Sequence, residues 1–128
     1  MTYLFDTHTY LWFRSAPHLL PPDVLDLLTN TSHTGYISLI TPWEIAIKSG
    51  TGKLSAAQLL NGFESRESSA GFSILAFTVD QAIASGFLPR HHRDPFDRML
   101  AVQALDMKIP IVGRDRAFDL YGVQRIWG

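Results

Sequence analysis

Four acidic residues stand where a chain can build a reactive centre. Asp6 directly follows the short apolar run Tyr3-Leu4-Phe5. Glu44 comes three residues after Thr41, at the start of a helical pattern, and Asp97 three after Asp94, at the start of another. Asp115 follows Ile111-Val112-Gly113 by two residues. Carboxylates drawn together repel one another, and without compensation some are forced to hold protons. A hard divalent cation removes that conflict, and oxygen-only donors favour Mg²⁺ or Mn²⁺ over zinc. Such a cation activates water and stabilises charge developing on a phosphate. Phosphodiester hydrolysis is the chemistry this donor set suits.

Each acid also has a structural explanation. Glu44 closes a capping box that Thr41 opens, with Pro42 at the first helical position. Asp97 lies where a helix dipole welcomes negative charge. Asp115 fits an Asx turn, or the cap of a short helix over residues 116–120. Asp6, at the end of a buried strand, is the least well explained this way, because a polar group near a core needs a reason. Asp94, just before Pro95, is read as an N-cap.

Basic residues collect beside the acids. Arg90-His91-His92-Arg93 precedes the Asp94-to-Asp97 turn, Arg98 follows it, and Arg114 and Arg116 flank Asp115. That placement suits an approaching phosphate backbone, with Arg93, Arg98 and Arg114 as candidate substrate contacts. The alternative is a solvated loop whose arginines offset nearby carboxylates. The His91-His92 pair makes a poor zinc site: adjacent histidines point apart, and no third nitrogen or sulfur ligand is near. His8 reads as a packed, hydrogen-bonded histidine. Trp12, Trp43 and Trp127 are able to stack on bases, but Trp12 and Trp43 lie in apolar helical stretches that favour core or subunit packing. Lys48 and Lys53 bracket Gly50-Thr51-Gly52 without the spacing of a phosphate-binding P-loop.

The elements that must position these residues follow from apolar runs and punctuation. Strands are expected at residues 3–5, 35–38, 72–77 and 111–113, with a fifth at 123–127. Helices are expected over residues 8–14, from Pro22, from Thr41 to Ser49-Gly50, from Ser55, from Thr78 to near Gly86, and from Asp94 to Pro110. Phe96, Leu100, Ala104 and Met107 mark the core face of the last. Strands alternating with helices predict an α/β fold, a parallel sheet with helices on both faces. Ligands then bind beyond the carboxyl ends of the strands, and all four acids fall on that rim.

Bulk composition bounds the reading. The chain has 128 residues, 46% hydrophobic and 12% aromatic, enough for one domain over residues 1–128 with one hydrophobic core. Charged residues make up 18%, which leaves room for an apolar face covered by a partner or a second subunit. A net charge of -1 makes local placement of charge decisive. With no cysteine, disulfides and thiolate chemistry are excluded. The start of the chain has no signal-peptide pattern, and no run approaches the ~20 apolar residues of a membrane span. A cytoplasmic protein is expected.

Four segments then resemble, in order, the motifs of the PIN-domain family and its VapC-like toxins. They are Leu4-Phe5-Asp6-Thr7-His8, Trp43-Glu44-Ile45-Ala46-Ile47-Lys48, His92-Arg93-Asp94-Pro95-Phe96-Asp97-Arg98-Met99-Leu100 and Gly113-Arg114-Asp115. The resemblance covers essentially the whole chain. It implies a three-layer α/β/α fold with a central parallel sheet of four or five strands. It implies an Mg²⁺- or Mn²⁺-dependent endoribonuclease, often a homodimer, blocked by a cognate antitoxin. Asp6 and Asp97 match the principal metal ligands, Glu44 the second acid and Asp115 the fourth, which would serve a second metal or its hydration. Many relatives carry threonine or serine where this chain has Gly113, so a hydroxyl near the site is missing.

Two other classes compete. A receiver-type phosphoacceptor domain fits the length and alternation, but it needs an acid pair after the first strand and a lysine after the fifth, and this chain has neither. A PIN-like module kept only for binding is the other, and the four intact acids argue against it.

Overall fold

The computed structural model describes all 128 residues. Five strands, β1 (Thr2–Phe5), β2 (Thr34–Ser38), β3 (Ser73–Leu75), β4 (Ile111–Val112) and β5 (Arg125–Ile126), form one sheet in the order β3-β2-β1-β4-β5. Every pairing is parallel. Six α-helices connect them: α1 (Thr7–Ser15), α2 (Pro22–Thr29), α3 (Ile40–Gly50), α4 (Phe63–Ser69), α5 (Val79–Phe87) and α6 (Pro95–Met107). The expected parallel α/β/α sandwich is present, with five strands.

β1 is central because Tyr3, Leu4 and Phe5 are apolar on both faces, as a strand covered on both sides requires. Side chains alternate across it. Tyr3 and Phe5 enter one core layer with Tyr10, Ile37, Ile45 and Val112. Leu4 enters the other with Ile40, Leu100, Ile111 and Phe118. α6 is more deeply buried than a single stripe predicts: Met99 through Ala104 are all buried, while Phe96 and Met107 are only partly covered. Gly35 lets the first layer close, because a Cβ there would stand 2.7 Å from the Tyr3 hydroxyl and 2.8 Å from Phe72 Cδ1.

Two capping expectations are corrected. α3 begins at Ile40, so Thr41 is inside the helix, not its cap, and Glu44 lies in the second turn. The chain passes from β2 into α3 almost without a loop. Ser38 Oγ takes the Ile40 N–H at 3.1 Å, and the Thr41 hydroxyl pairs with that of Thr7 at 3.1 Å. The Ser55-to-Gln58 pattern opens only a 3₁₀ turn, Ala57–Leu60, without a capping side chain; α4 starts after Gly62 in a left-handed conformation. The caps that form are local. Thr78 and Gln81 cap α5 reciprocally, and Asp94 Oδ1 accepts the Phe96 N–H at 2.8 Å to start α6.

Candidate active site

The carboxyl ends of β1 and β4 and the starts of α3 and α6 meet on one rim. Asp6 is the first residue beyond β1. Its N–H still donates to Val112 O at 3.1 Å, which holds it in the ladder's frame, and its carbonyl accepts the Tyr10 N–H that begins α1. The residue is buried. Burial pushes its carboxyl up to about 6; Glu44 and Asp115 push the same way, against His8 and the Thr7 N–H. Asp97, in the first turn of α6, is raised further, to about 8. Burial again leads, followed by Asp6, Asp94, Glu44 and Asp115. The four sequence-predicted acids therefore share one electrostatic environment that cannot easily hold all their charges.

Glu44 projects into this cluster from α3 and is 3% exposed. One oxygen accepts from Lys48 Nζ one turn on, and Lys48 also lies 3.6 Å from Asp94. The other oxygen, Oε1, is buried with no partner. A buried carboxylate oxygen left bare is costly, and a cation beside it resolves the cost. Asp115 is the most open of the four. Burial works against its charge, but the Ala117 N–H at 2.9 Å and the His92 ring hold its carboxyl below the usual range.

His92 belongs to the cluster, which its sequence context concealed. Its Nε2 lies 3.0 Å from Asp97 Oδ2 and 2.7 Å from Asp115 Oδ2. Its Nδ1 accepts the Asp94 N–H at 3.2 Å, so the ring proton sits on Nε2, between the two acids. The neighbouring His91 turns away to pack on Tyr121, as adjacent residues must. The available signal was the placement of His92 two residues before a capping aspartate, where a ring nitrogen can reach that residue's amide. His92 Nε2 and carboxylate oxygens of Asp97 and Asp115 all lie within 4.8 Å of one another; with its proton there, the ring orients the two acids and leaves their remaining oxygens as the donors. The donor set, the raised carboxyls and the orphaned Glu44 oxygen fit a divalent cation.

The arginines separate by role. Arg98 donates to the carbonyls of Ser85, His92 and Arg93, so its guanidinium ties down the loop before α6. Tyr121 pins the same loop by donating to Pro89 O and accepting the His92 N–H. Arg93 is exposed beside this loop. Arg114 and Arg116 line a cavity of about 520 Å³ that opens from Asp6 and Asp115. A smaller cavity of about 270 Å³, reaching Glu44 and Lys48, lies beyond His8.

The model of one family, the PIN domain, matches residues 3–123. This chain belongs to the PIN-domain family. Members of that family are generally nucleases that use a divalent metal. No curated protein matches the chain by sequence. Among solved structures, this PIN domain is similar to FitAB bound to an IR36 DNA fragment, with 20% identity, TM-score 0.68, and 97% of this chain and 93% of that chain covered. It is similar to VapBC2 from Rickettsia felis bound to a promoter DNA fragment, with 18% identity, TM-score 0.68, and all of both chains covered. FitAcB from Neisseria gonorrhoeae gives 21% identity, TM-score 0.62, and 97% and 96% coverage. At these identities the likeness is one of fold. No helix of this PIN domain is long and apolar enough to cross a membrane.

Proposed function

We propose that this PIN domain, acting as one unit over residues 1–128, is a divalent-cation-dependent endoribonuclease and the toxin of a toxin–antitoxin pair. The observation that carries the reading is the crowding of Asp6, Glu44, Asp97 and Asp115, which leaves Asp97 raised to about 8 and Glu44 Oε1 bare. Asp6 and Asp97 would hold the cation, Glu44 Oε1 would complete its shell or orient its water, and Asp115 would serve a second metal or its hydration on the open side; oxygen donors favour Mg²⁺ or Mn²⁺. When bound, the cation polarises the scissile phosphodiester and makes a water nucleophilic at neutral pH.

The protein's own groups supply the rest. Lys48 neutralises the second Glu44 oxygen and keeps the first one aimed inward. The His92 N–H clamps Asp97 against Asp115 and fixes both planes. Arg114, exposed at the cavity rim, meets the substrate phosphate, and Arg93 extends the positive track. Arg98 contributes indirectly, through the loop it ties.

Two partner proteins accompany this reading. The FitAB and VapBC2 structures, solved on DNA, support an antitoxin partner for this chain. The exposed Trp43, Ile47, Ile83 and Phe87 are apolar side chains that a second copy of the chain would cover, which favours a homodimer. The same reading assigns the activity to the cytoplasm, where its RNA substrate would be met.

The test is cleavage of a labelled total-RNA pool with Mg²⁺ or Mn²⁺, comparing the wild type with Asp6→Asn and Asp97→Asn. Discrete metal-dependent fragments absent from both variants are expected. Equal cutting by all three proteins, or by none, overturns the reading.

A further inference from the structure

The largest cavity in the molecule does not stop at the acids. It runs from Asp6 and Asp115 along α1 towards the chain's end, where Trp12 and Trp127 line it together. Their ring centroids are 6.0 Å apart with planes inclined at 50°. Both indoles are partly covered by the core layer behind them and partly exposed. A tilted aromatic pair of this kind is anchored on one side and open on the other.

Three polar features accompany the indoles. Arg114 and Arg116 are exposed and line the same cavity, and neither guanidinium has a hydrogen bond or ion pair within the protein. Thr9, at the inner wall, is 1% exposed, and its hydroxyl has no partner. A cavity of about 520 Å³ falls within the ~300–1,000 Å³ of small-ligand clefts. Aromatic faces and free guanidinium groups in one cleft match the base and phosphates of a nucleotide. A base can lie on an indole only when it is not stacked in a duplex.

We propose that this groove is a subsite for one unpaired nucleotide next to the scissile phosphate. The base rests on the open face of the Trp12–Trp127 pair, and Arg114 and Arg116 take the flanking phosphates. The subsite rests on the ribonuclease reading and deepens it by naming the side chains that seat the nucleotide beside the cut.

The experiment uses the full chain with Trp43→Phe, so that only the groove indoles emit, and Asp97→Asn, so that RNA survives. The probe is a fluorescein-labelled single-stranded RNA of mixed sequence, alone or annealed to its complement, with Mg²⁺ present. Binding is read by anisotropy and groove occupancy by indole emission. The single strand is expected to quench emission and to bind roughly ten-fold or more tighter than the duplex. Trp127→Ala is expected to weaken single-strand binding roughly ten-fold or more, and Trp127→Phe much less. Unchanged emission at saturation overturns the subsite, and so does equal affinity for duplex. If Trp127→Ala does not fold, the emission measurement and Trp127→Phe decide. RNA cut normally by the parent protein while the indoles stay unquenched removes the subsite alone. RNA neither bound nor cut removes the ribonuclease reading with it.

Discussion

Gly113 and Asp6 approach so closely that a Cβ built on the glycine would stand 2.9 Å from the aspartate's Cβ. The parallel ladder causes this. Phe5 pairs with Val112, so the next residues of β1 and β4 emerge side by side at the rim. The missing hydroxyl at position 113 is thus linked to how tightly this chain seats Asp6. Gly113→Ser is expected to push Asp6 aside and destabilise the fold by about 1–3 kcal/mol. Thermal unfolding and Mn²⁺ titration check it; a variant with unaltered midpoint and Mn²⁺ affinity would show that Asp6 has room to spare.

His92 clamps two acids with one N–H. Outer groups that orient metal-binding side chains typically carry a 10–100-fold effect on metal affinity. His92→Ala is therefore expected to lower Mn²⁺ affinity by ~10-fold or more while the fold persists. Calorimetric titration is the measurement. Affinity equal to the wild type's would reduce His92 to a packing residue.

Without metal, stability should fall as pH rises. Asp6 and Asp97 are raised from 3.8 to about 6 and about 8. Below pH 3.8 folded and unfolded chains both hold these protons, and the contribution is fully present. Between 3.8 and about 8 the unfolded chain releases protons that the folded chain keeps, so unfolding gains ground. A cation that holds both groups ionised cancels the slope. Melting midpoints in chelator should decline across this window, the Asp97→Asn variant should decline less, and Mn²⁺ should level the curve. A flat curve in chelator contradicts the raised carboxyls.

The scaffold has its own buried charge. Glu67 on α4 is fully buried and accepts from Tyr10 and Arg14 on α1 and from Arg66. Burial alone would raise its carboxyl, but the hydrogen bonds from Arg14 and Tyr10 hold it below its ordinary value. Its contribution is present above 4.5 and fades as pH falls through the folded value, so it lies below most of the active-site window. Glu67→Ala strands Arg14 and Tyr10 and is expected to cost about 3–5 kcal/mol. Urea unfolding reads the loss. Mn²⁺ affinity of the folded variant should not change, and a matching loss there would mean that α1 transmits strain to Asp6.

What the sequence determined by itself is what neighbours along the chain decide. The apolar run before Asp6, the Thr78–Gln81 box and the Asp94 cap involve residues within a few positions of one another, so their geometry is encoded locally. Strand–helix alternation set the parallel sheet, and with it the rim that carries Asp6, Asp97 and Asp115. Tertiary structure decided the rest, because those contacts join residues far apart in sequence. Glu44 left its capping role once β2 ran straight into α3, and its Oε1 was left bare by burial among elements from other parts of the chain. His92 acquired meaning only when Asp115, 23 residues on, folded back against its ring. Trp12 and Trp127 meet from opposite ends of the chain. Their shared groove exists because the sheet sets β5 next to β4 and brings the chain's end to the site.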